Sequence, residues 1–201
     1  METVRCFIAV ELPNDLRREL GRLQKRLKVD EPRVKWVSPE GIHLTLKFLG
    51  DVDTTMIEPI TQAMTQAAQG TLPFSLNIQQ LGAFPSLQRV QVVWVGLGGD
   101  VDKLQQLCQL LEANLTSLGF AAEQRPFTPH LTLARLGNEA SPNERQRFGE
   151  LIASTRSELS YSIKVDGLSL IRSQLTSTGA IYSRISLAEL NKNLLSSEDS
   201  Q

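Results

Sequence analysis

The chain has 201 residues, of which 41% are hydrophobic and 21% charged, a composition that suits one packed domain and excludes a wholly disordered chain. Its formal net charge is −1, so bulk charge does not indicate a nucleic-acid-binding protein, and local cations would have to hold a phosphate ligand. Two cysteines exclude a disulfide framework or a four-cysteine zinc site, and no apolar run approaches the roughly 20 residues of a membrane span. We therefore expect a monomeric cytoplasmic protein with one domain over residues 1–190 and a polar tail over 191–201.

Seven runs rich in Val, Ile, Leu, Phe and Tyr predict β-strands. In chain order these runs are Val4–Val10, His43–Leu49, Phe74–Leu81, Val90–Leu97, His130–Leu136, Ser162–Ile171 and Ala180–Leu187. Helix-like segments lie between several of them. They are a segment that opens at Pro13, residues 54–69, Asp100–Leu118, and a segment from Pro142 to about Ser157.

One eight-residue sequence occurs twice in the chain. HLTLKFLG at 43–50 returns as HLTLARLG at 130–137, with six of the eight positions identical, and each copy is a predicted strand followed by a predicted helix. The repeat predicts an α+β fold of two lobes related by a pseudo-two-fold axis, with two antiparallel sheets lining a central cleft and helices on the outside. A doubly wound parallel sheet fits less well, because strands and helices do not alternate regularly.

The chain contains only two histidines, and each begins one copy of the repeat. Alternation along a strand predicts His43 and Thr45 on one face, and likewise His130 and Thr132. If these polar faces oppose each other, two imidazoles meet in one cleft, where they can divide the roles of general base and general acid on a phosphodiester. Each threonine hydroxyl can donate a hydrogen bond to a phosphate oxygen, so the scheme requires no metal and no cofactor.

Other interpretations of the same residues stay open at this point. A strand histidine can be purely structural, and two histidines with carboxylates can bind zinc, although neither octet contains Asp or Glu. The sequence has no Gly-x-Ser-x-Gly elbow of a serine hydrolase and no Gly-x-x-x-x-Gly-Lys phosphate loop of an NTPase. The cleft can also bind a terminal phosphate without turnover, or hydrolyse small cyclic nucleotides.

The paired motifs resemble those of the 2H phosphoesterase superfamily, and within it the RNA 2′,3′-cyclic phosphodiesterase family, also described as bacterial 2′-5′ RNA ligases. The resemblance extends over Arg5–Val10, Arg33–Val37, Gly82–Pro85, Val92–Gly96 and Phe127–His130.

This resemblance implies hydrolysis of a terminal 2′,3′-cyclic phosphate on RNA to a 2′-phosphomonoester. It implies that His43 is the proton donor, His130 the proton acceptor, and Thr45 and Thr132 the phosphate-binding hydroxyls. It further implies a minor, reversible joining of RNA ends, such as tRNA halves, through a 2′-5′ linkage. The residues alone do not assign acid and base, because the two octets are too alike.

Further candidates surround the motifs. Arg135 follows the second motif, where the family often has Arg, but strict alternation places it on the face opposite His130, so a bend or the strand end would be needed to bring it to phosphate. Alternation also predicts Lys47 on the His43 face and Phe48 on the opposite, apolar face. The candidates for stacking on a nucleobase are Trp36, Phe84 and Phe127. Candidates for contact with backbone phosphates are Arg33, Lys35, Arg89, Arg125 and Arg172.

Overall fold

The computed structural model describes residues 2–28, 33–124, 126–155, 159–176 and 179–191. The strands are β1 Thr3–Val10, β2 Val34–Trp36, β3 Leu44–Asp53, β4 Phe74–Phe84, β5 Val92–Gly99, β6 His130–Leu136, β7 Ser162–Val165, β8 Gly167–Thr176 and β9 Gly179–Glu189. The helices are α1 Asn14–Leu27, α2 Ile57–Gln69, α3 Val101–Ser117 and α4 Pro142–Ser154, with 3₁₀ turns at Pro39–Gly41, Thr54–Met56 and Leu87–Arg89. The predicted tail after Asn191 lies outside the described residues.

The strands form two antiparallel sheets, as the repeat predicted. The first sheet has the order β3-β1-β8-β9 and the second the order β2-β6-β5-β4-β7. The sheets do not come from consecutive halves of the chain. Strand β8 pairs with β1, with Cys6 opposite Arg172, whereas β2 precedes the first motif in sequence but pairs with β6 of the second. Each sheet therefore combines segments from distant parts of the chain.

Helix α1 carries a stripe of buried leucines that packs into the common core. Leu16, Leu20 and Leu27 are fully buried, at the spacing that places residues on one helical face. Gln24 on the same helix is also buried, and its amide nitrogen donates to the carbonyl oxygens of Val37 at 2.7 Å and Leu133 at 3.0 Å. A buried amide needs such partners, so these bonds fix α1 against the chain that leads into the first motif and against β6.

The remaining helices lie on the outside of the sheets. Helix α2 packs against β8 and β9, and α4 packs against β4 and the turn at Leu87–Arg89. The start of α4 has a capping box, in which Ser141 and Glu144 satisfy each other's backbone amides. These positions confirm the predicted α+β architecture. None of the described helices is both long enough and apolar enough to cross a membrane.

The predicted strand Ser162–Ile171 is two strands, and this prediction was wrong. Residues Ser162–Val165 pair with β4 in the second sheet, while the chain from Gly167 onward pairs with β1 in the first. Asp166 lies between them, and its carbonyl accepts a hydrogen bond from Leu190 at 2.9 Å. Both halves bury apolar side chains, so hydrophobic periodicity does not show where the chain passes from one sheet to the other. The short strand β2 was not predicted either.

Candidate active site

A cavity of about 340 Å³ is lined by residues from both sheets. Strands β3 and β6, which carry the two motifs, contact each other. The lining residues that bear on the chemistry are Phe7, His43, Thr45, Phe48 and Tyr182 of the first sheet and its lead-in, and Thr132 and Arg135 of the second. His130 is not among the lining residues of this cavity. It lies two residues before Thr132 and on the same face of β6, because these two residues oppose Gly96 and Trp94 on β5.

A β-bulge in β6 brings Arg135 to the cavity. Ala134 opposes Val93 and Thr132 opposes Trp94, so Leu133 is an extra residue that interrupts the alternation. Arg135 consequently shares the face of Thr132 and lines the cavity. The bend that Arg135 needed in order to reach phosphate is therefore present.

A second bulge, in β3, corrects the predictions for Lys47 and Phe48. Thr45 opposes Ala9 and Lys47 opposes Ile8, so Leu46 is the extra residue. Lys47 therefore turns away from the cavity. Its ammonium lies 2.6 Å from the Glu112 carboxylate and donates to the carbonyl of Ala121 at 2.7 Å.

The same bulge turns Phe48 into the cavity, contrary to the predicted apolar face. Phe48 is 70% exposed and lies opposite Phe7, with 6.0 Å between the ring centroids. An exposed aromatic ring beside the first motif offers a flat apolar surface to a ligand.

The two histidines are held by the same local hydrogen bond. His43 Nδ1 lies 2.9 Å from the carbonyl oxygen of Gly41, and His130 Nδ1 lies 2.7 Å from that of Thr128. A carbonyl oxygen can only accept, so each Nδ1 carries the proton and donates it. Within the described residues no hydrogen bond reaches either Nε2, and this leaves the Nε2 atom of each ring as the one that can exchange a proton.

Each imidazole also lies among aromatic rings. The ring of His43 is T-shaped to Phe7 at 5.5 Å and to Tyr182 at 5.2 Å. The ring of His130 is T-shaped to Phe84 at 5.0 Å and tilted against Trp94 at 6.3 Å. The sequence did not single out Tyr182 or Trp94, because they lie far from the motifs along the chain and strand pairing alone brings them there.

The surroundings of His43 lower its pKa below the ordinary value of 6.5. Burial is the largest cause, and the positive charge of Arg17 acts in the same direction. The hydrogen bond to Gly41 and the negative charge of Glu11 oppose these effects. The environment of the unliganded site therefore favours the neutral form of His43.

The two motif threonines have unbonded hydroxyl groups. Both Thr45 and Thr132 line the cavity, and neither hydroxyl makes a hydrogen bond to any other described residue. Arg135 is exposed and makes no ion pair with the described part of the chain. Two hydroxyl donors and one guanidinium are thus available to an anion in the cavity.

Cys6 lines the cavity but is not a good nucleophile. Burial raises the pKa of its thiol to about 11, although the positive charge of Arg172 opposes the shift. A thiol with such a pKa is almost fully protonated near neutral pH, and the thiolate is the reactive form. Among the described residues, no three His, Cys, Asp or Glu side chains group in a way that could hold a metal ion.

The stacking candidates lie in three different places. Phe84 is beside His130, as described above. Trp36 packs on Phe148 at 6.3 Å and lines a different cavity, and Phe127 is partly buried against the core.

The phosphate-contact candidates are also dispersed. Arg33 is ion-paired with Glu144, whereas Lys35 lies directly opposite Arg135 across β2 and β6. Arg89 and Arg172 are exposed. Arg125 lies outside the described residues.

Comparison with known proteins agrees with this geometry. The family model described as LigT like phosphoesterase matches residues 10–94 and 97–182, and each matched segment contains one His-x-Thr motif. The RNA 2′,3′-cyclic phosphodiesterase of Methanothermobacter thermautotrophicus is 35% identical over 187 residues, which are 93% of this chain and 99% of that protein. These findings confirm the resemblance that the paired motifs indicated.

Solved structures share the fold. A protein of Thermus thermophilus superposes with a TM-score of 0.74 and 25% identity, covering 92% of this chain and 97% of that one. Escherichia coli LigT, solved in complex with 3′-AMP, superposes with a TM-score of 0.76 and 24% identity, covering 94% and 99%. The two-sheet architecture is therefore common to this chain and these proteins.

Proposed function

Because the chain belongs to the LigT like phosphoesterase family, we propose that it hydrolyses the 2′,3′-cyclic phosphate at the 3′ end of RNA to a 2′-phosphomonoester. The observation that carries the proposal is the pair of histidines, His43 and His130, with protonated Nδ1 and unbonded Nε2, accompanied by the unbonded hydroxyls of Thr45 and Thr132. The name of the Methanothermobacter relative supports RNA as the substrate class.

The reaction is a displacement at phosphorus by water. His130 Nε2 takes a proton from the water molecule, whose oxygen forms a new bond to phosphorus. The bond between phosphorus and the 3′ oxygen breaks, and His43 Nε2 gives its proton to that oxygen. The product carries a 3′-hydroxyl and a 2′-phosphate, and a proton passed through solvent from one imidazole to the other restores the starting state. Such acid–base assistance contributes about 10²–10⁴-fold.

The remaining groups stabilise charge on the phosphate. Thr45 and Thr132 donate from opposite sheets to its non-bridging oxygens, and Arg135 supplies a positive charge from the β6 face that the bulge exposes. These donors stand in place before the reaction, so they need little reorganisation as charge develops on phosphorus. No step in this scheme requires a metal ion.

The same groups support a second displacement at the cyclic phosphate. A 5′-hydroxyl of a second RNA strand then replaces water as the nucleophile, with the cyclic phosphate as the electrophile, and a 2′-5′ linkage forms. Because water is far more concentrated than RNA ends, we propose hydrolysis as the main reaction and ligation as a minor one.

Product analysis tests this function. The purified protein is incubated in EDTA with a 5′-labelled oligonucleotide that ends in a 2′,3′-cyclic phosphate, and the products are separated beside synthetic 2′-phosphate and 3′-phosphate standards. We expect complete conversion to the 2′-phosphate at a rate that EDTA does not change. A 3′-phosphate product would contradict the proposed leaving group, and loss of activity that zinc restores would contradict the metal-free mechanism. A tight complex with unchanged oligonucleotide would show a binding module.

A further inference from the structure

A second cavity, of about 540 Å³, lies immediately beside the first. Val37 lines both cavities. In the turn that follows, Gly41 lines the first cavity, while Pro39 and Glu40 line the second. The wall between them is thus a single segment, residues 37–41. We call the first cavity the cleft and the second the basic cavity.

Four cations of α1 and its C-terminal cap surround the basic cavity. Arg18, Arg22 and Lys25 follow one another at the spacing of one helical face, Lys28 lies at the end of the helix, and Glu40 is the one carboxylate in the lining. All four cations are exposed. Arg22 pairs with Glu19, but the other three make no ion pair with the described residues. In a chain with 21 basic and 22 acidic residues, this is a local concentration of positive charge.

A glycine allows the wall to lie close to this helix. Gly21 is on the same face of α1, and a Cβ atom added to it would lie 3.1 Å from Cγ of Pro39. Glycine inside a helix is less favourable than alanine by about 1 kcal/mol. In α1 it lets the turn at Pro39–Gly41 contact the helix, so the cations border directly on the wall of the cleft.

Positive charge also extends from the cleft to the neighbouring sheet edge. Lys35 on β2 lies directly opposite Arg135 on β6, so the two side chains share the face that carries Thr132. Neither makes an ion pair with the described residues. Like charges directly opposite each other destabilise a strand pair unless an anion lies near them. This pair, independent of α1, places a second cation beside the cleft, on the face that carries Thr132.

We propose that the basic cavity binds the single strand of RNA that leads to the cyclic phosphate, through contacts between the α1 cations and the backbone phosphates. This inference rests on the proposed function and specifies its substrate as an oligonucleotide end in preference to a mononucleotide. A concave basic site that shares a wall with the cleft suits a strand passing from one to the other. A membrane-binding helix usually presents an apolar face beside its cations, whereas the exposed cations of α1 line a concave cavity, which favours a strand over a bilayer surface.

Paired charge reversals test the inference. Lys25→Glu/Lys28→Glu alters the basic cavity, and Lys103→Glu/Lys164→Glu is the control with the same change in net charge. Lys164 lies on β7, at the opposite edge of the second sheet from β2, and Lys103 lies on α3. Each variant is assayed on a 2′,3′-cyclic mononucleotide and on an RNA of about ten nucleotides with a cyclic phosphate end, over a range of salt concentrations.

We expect Lys25→Glu/Lys28→Glu to raise KM for the oligonucleotide by about tenfold at low salt and to leave KM for the mononucleotide within about twofold of wild type. The dependence of log(kcat/KM) on log(salt) for the oligonucleotide should become shallower by about 1.4, since each of the two lost phosphate contacts on a single strand contributes about 0.7. The unchanged mononucleotide rate shows that the variant is folded, and the control variant should match wild type on both substrates.

Several results would overturn the inference. One is an oligonucleotide KM that Lys25→Glu/Lys28→Glu changes no more than the control variant does. Another is an equal loss of kcat/KM on the oligonucleotide and the mononucleotide, which would place the effect in the cleft. The cations would be assigned to a membrane if the wild type bound anionic phospholipid vesicles, the substitutions abolished this binding, and the oligonucleotide kinetics stayed unchanged. If instead wild type hydrolyses neither substrate, the proposed function itself fails, and this outcome is distinct from the others.

Discussion

At the scale of the residue, the two histidines differ in their surroundings although their local sequences are alike. Both Nδ1 atoms donate to the carbonyl two residues earlier. Burial lowers the pKa of His43, which in the proposed mechanism must be protonated to act as the donor. A bound phosphate carries negative charge, and such a charge nearby favours the imidazolium. In the proposed mechanism, substrate binding therefore raises the pKa of His43, and the charges of Arg17 and Glu11 act on the same pKa.

Two single substitutions should move the pKa of His43 in opposite directions. Arg17→Met removes a positive charge that lowers this pKa, so the pKa should rise. Methionine is chosen because it keeps the apolar length of the arginine side chain, whose Nε is buried without a hydrogen-bond partner among the described residues. Glu11→Gln removes a negative charge that raises it, so the pKa should fall further below 6.5. Histidine NMR titration of the three proteins measures both shifts.

The same variants test the role of His43. A proton donor gains active fraction when its pKa rises, so Arg17→Met should increase kcat/KM at about pH 8 and leave it unchanged at the acid end of the profile, where His43 is already protonated. Glu11→Gln should decrease kcat/KM at the same alkaline pH. The opposite pattern, in which Arg17→Met lowers kcat/KM only at acid pH, would make His43 the proton acceptor.

At the scale of the element, two β-bulges decide which side chains reach the cleft. Strict alternation predicted the faces of His43, Thr45, His130 and Thr132 in agreement with the structure, because these residues precede the bulges. It predicted the wrong face for Lys47, Phe48 and Arg135, because each lies beyond an extra residue. A bulge depends on the register with the neighbouring strand, and that register is a tertiary property. The split at Asp166 was missed for the same reason.

Packing of α4 gives a stability prediction at this scale. A Cβ atom added to Gly149 would lie 1.7 Å from the carbonyl oxygen of Leu87, so α4 must move away from the turn at Leu87–Arg89 to accept alanine. Gly149→Ala should destabilise the protein by about 2 kcal/mol and lower Tm by roughly 4–8 °C, although alanine normally favours a helix.

Gly70→Ala is the control for this substitution. Gly70 has an ordinary φ of −81°, and an added Cβ atom would meet its nearest neighbour, Cδ1 of Leu110, at 3.4 Å. Gly70→Ala should change the free energy of unfolding by no more than about 0.5 kcal/mol. A thermal melt in which Gly149→Ala is as stable as Gly70→Ala would show that the close contact of α4 with the turn does not limit stability.

At the scale of the whole molecule, the fold assembles one site from distant parts of the chain. The repeat was sufficient to predict two antiparallel sheets and a cleft between them, because similar octets indicate related strands. The sequence did not indicate that β8 and β9 complete the first sheet and bring Tyr182 to His43. Nor did it single out the basic face of α1, because cations at helical spacing also occur on ordinary solvated faces.

The central claim is that His43 and His130 act together in one transition state. Single-turnover rates on an RNA with a cyclic phosphate end, measured for wild type, His43→Ala, His130→Ala and the double variant, test it most directly. Each single substitution should reduce the rate by at least about 10²-fold, and the double variant should fall no more than about tenfold below the slower single variant, because groups that act as a unit are not additive. A single variant that keeps its rate within about tenfold of wild type would contradict the claim.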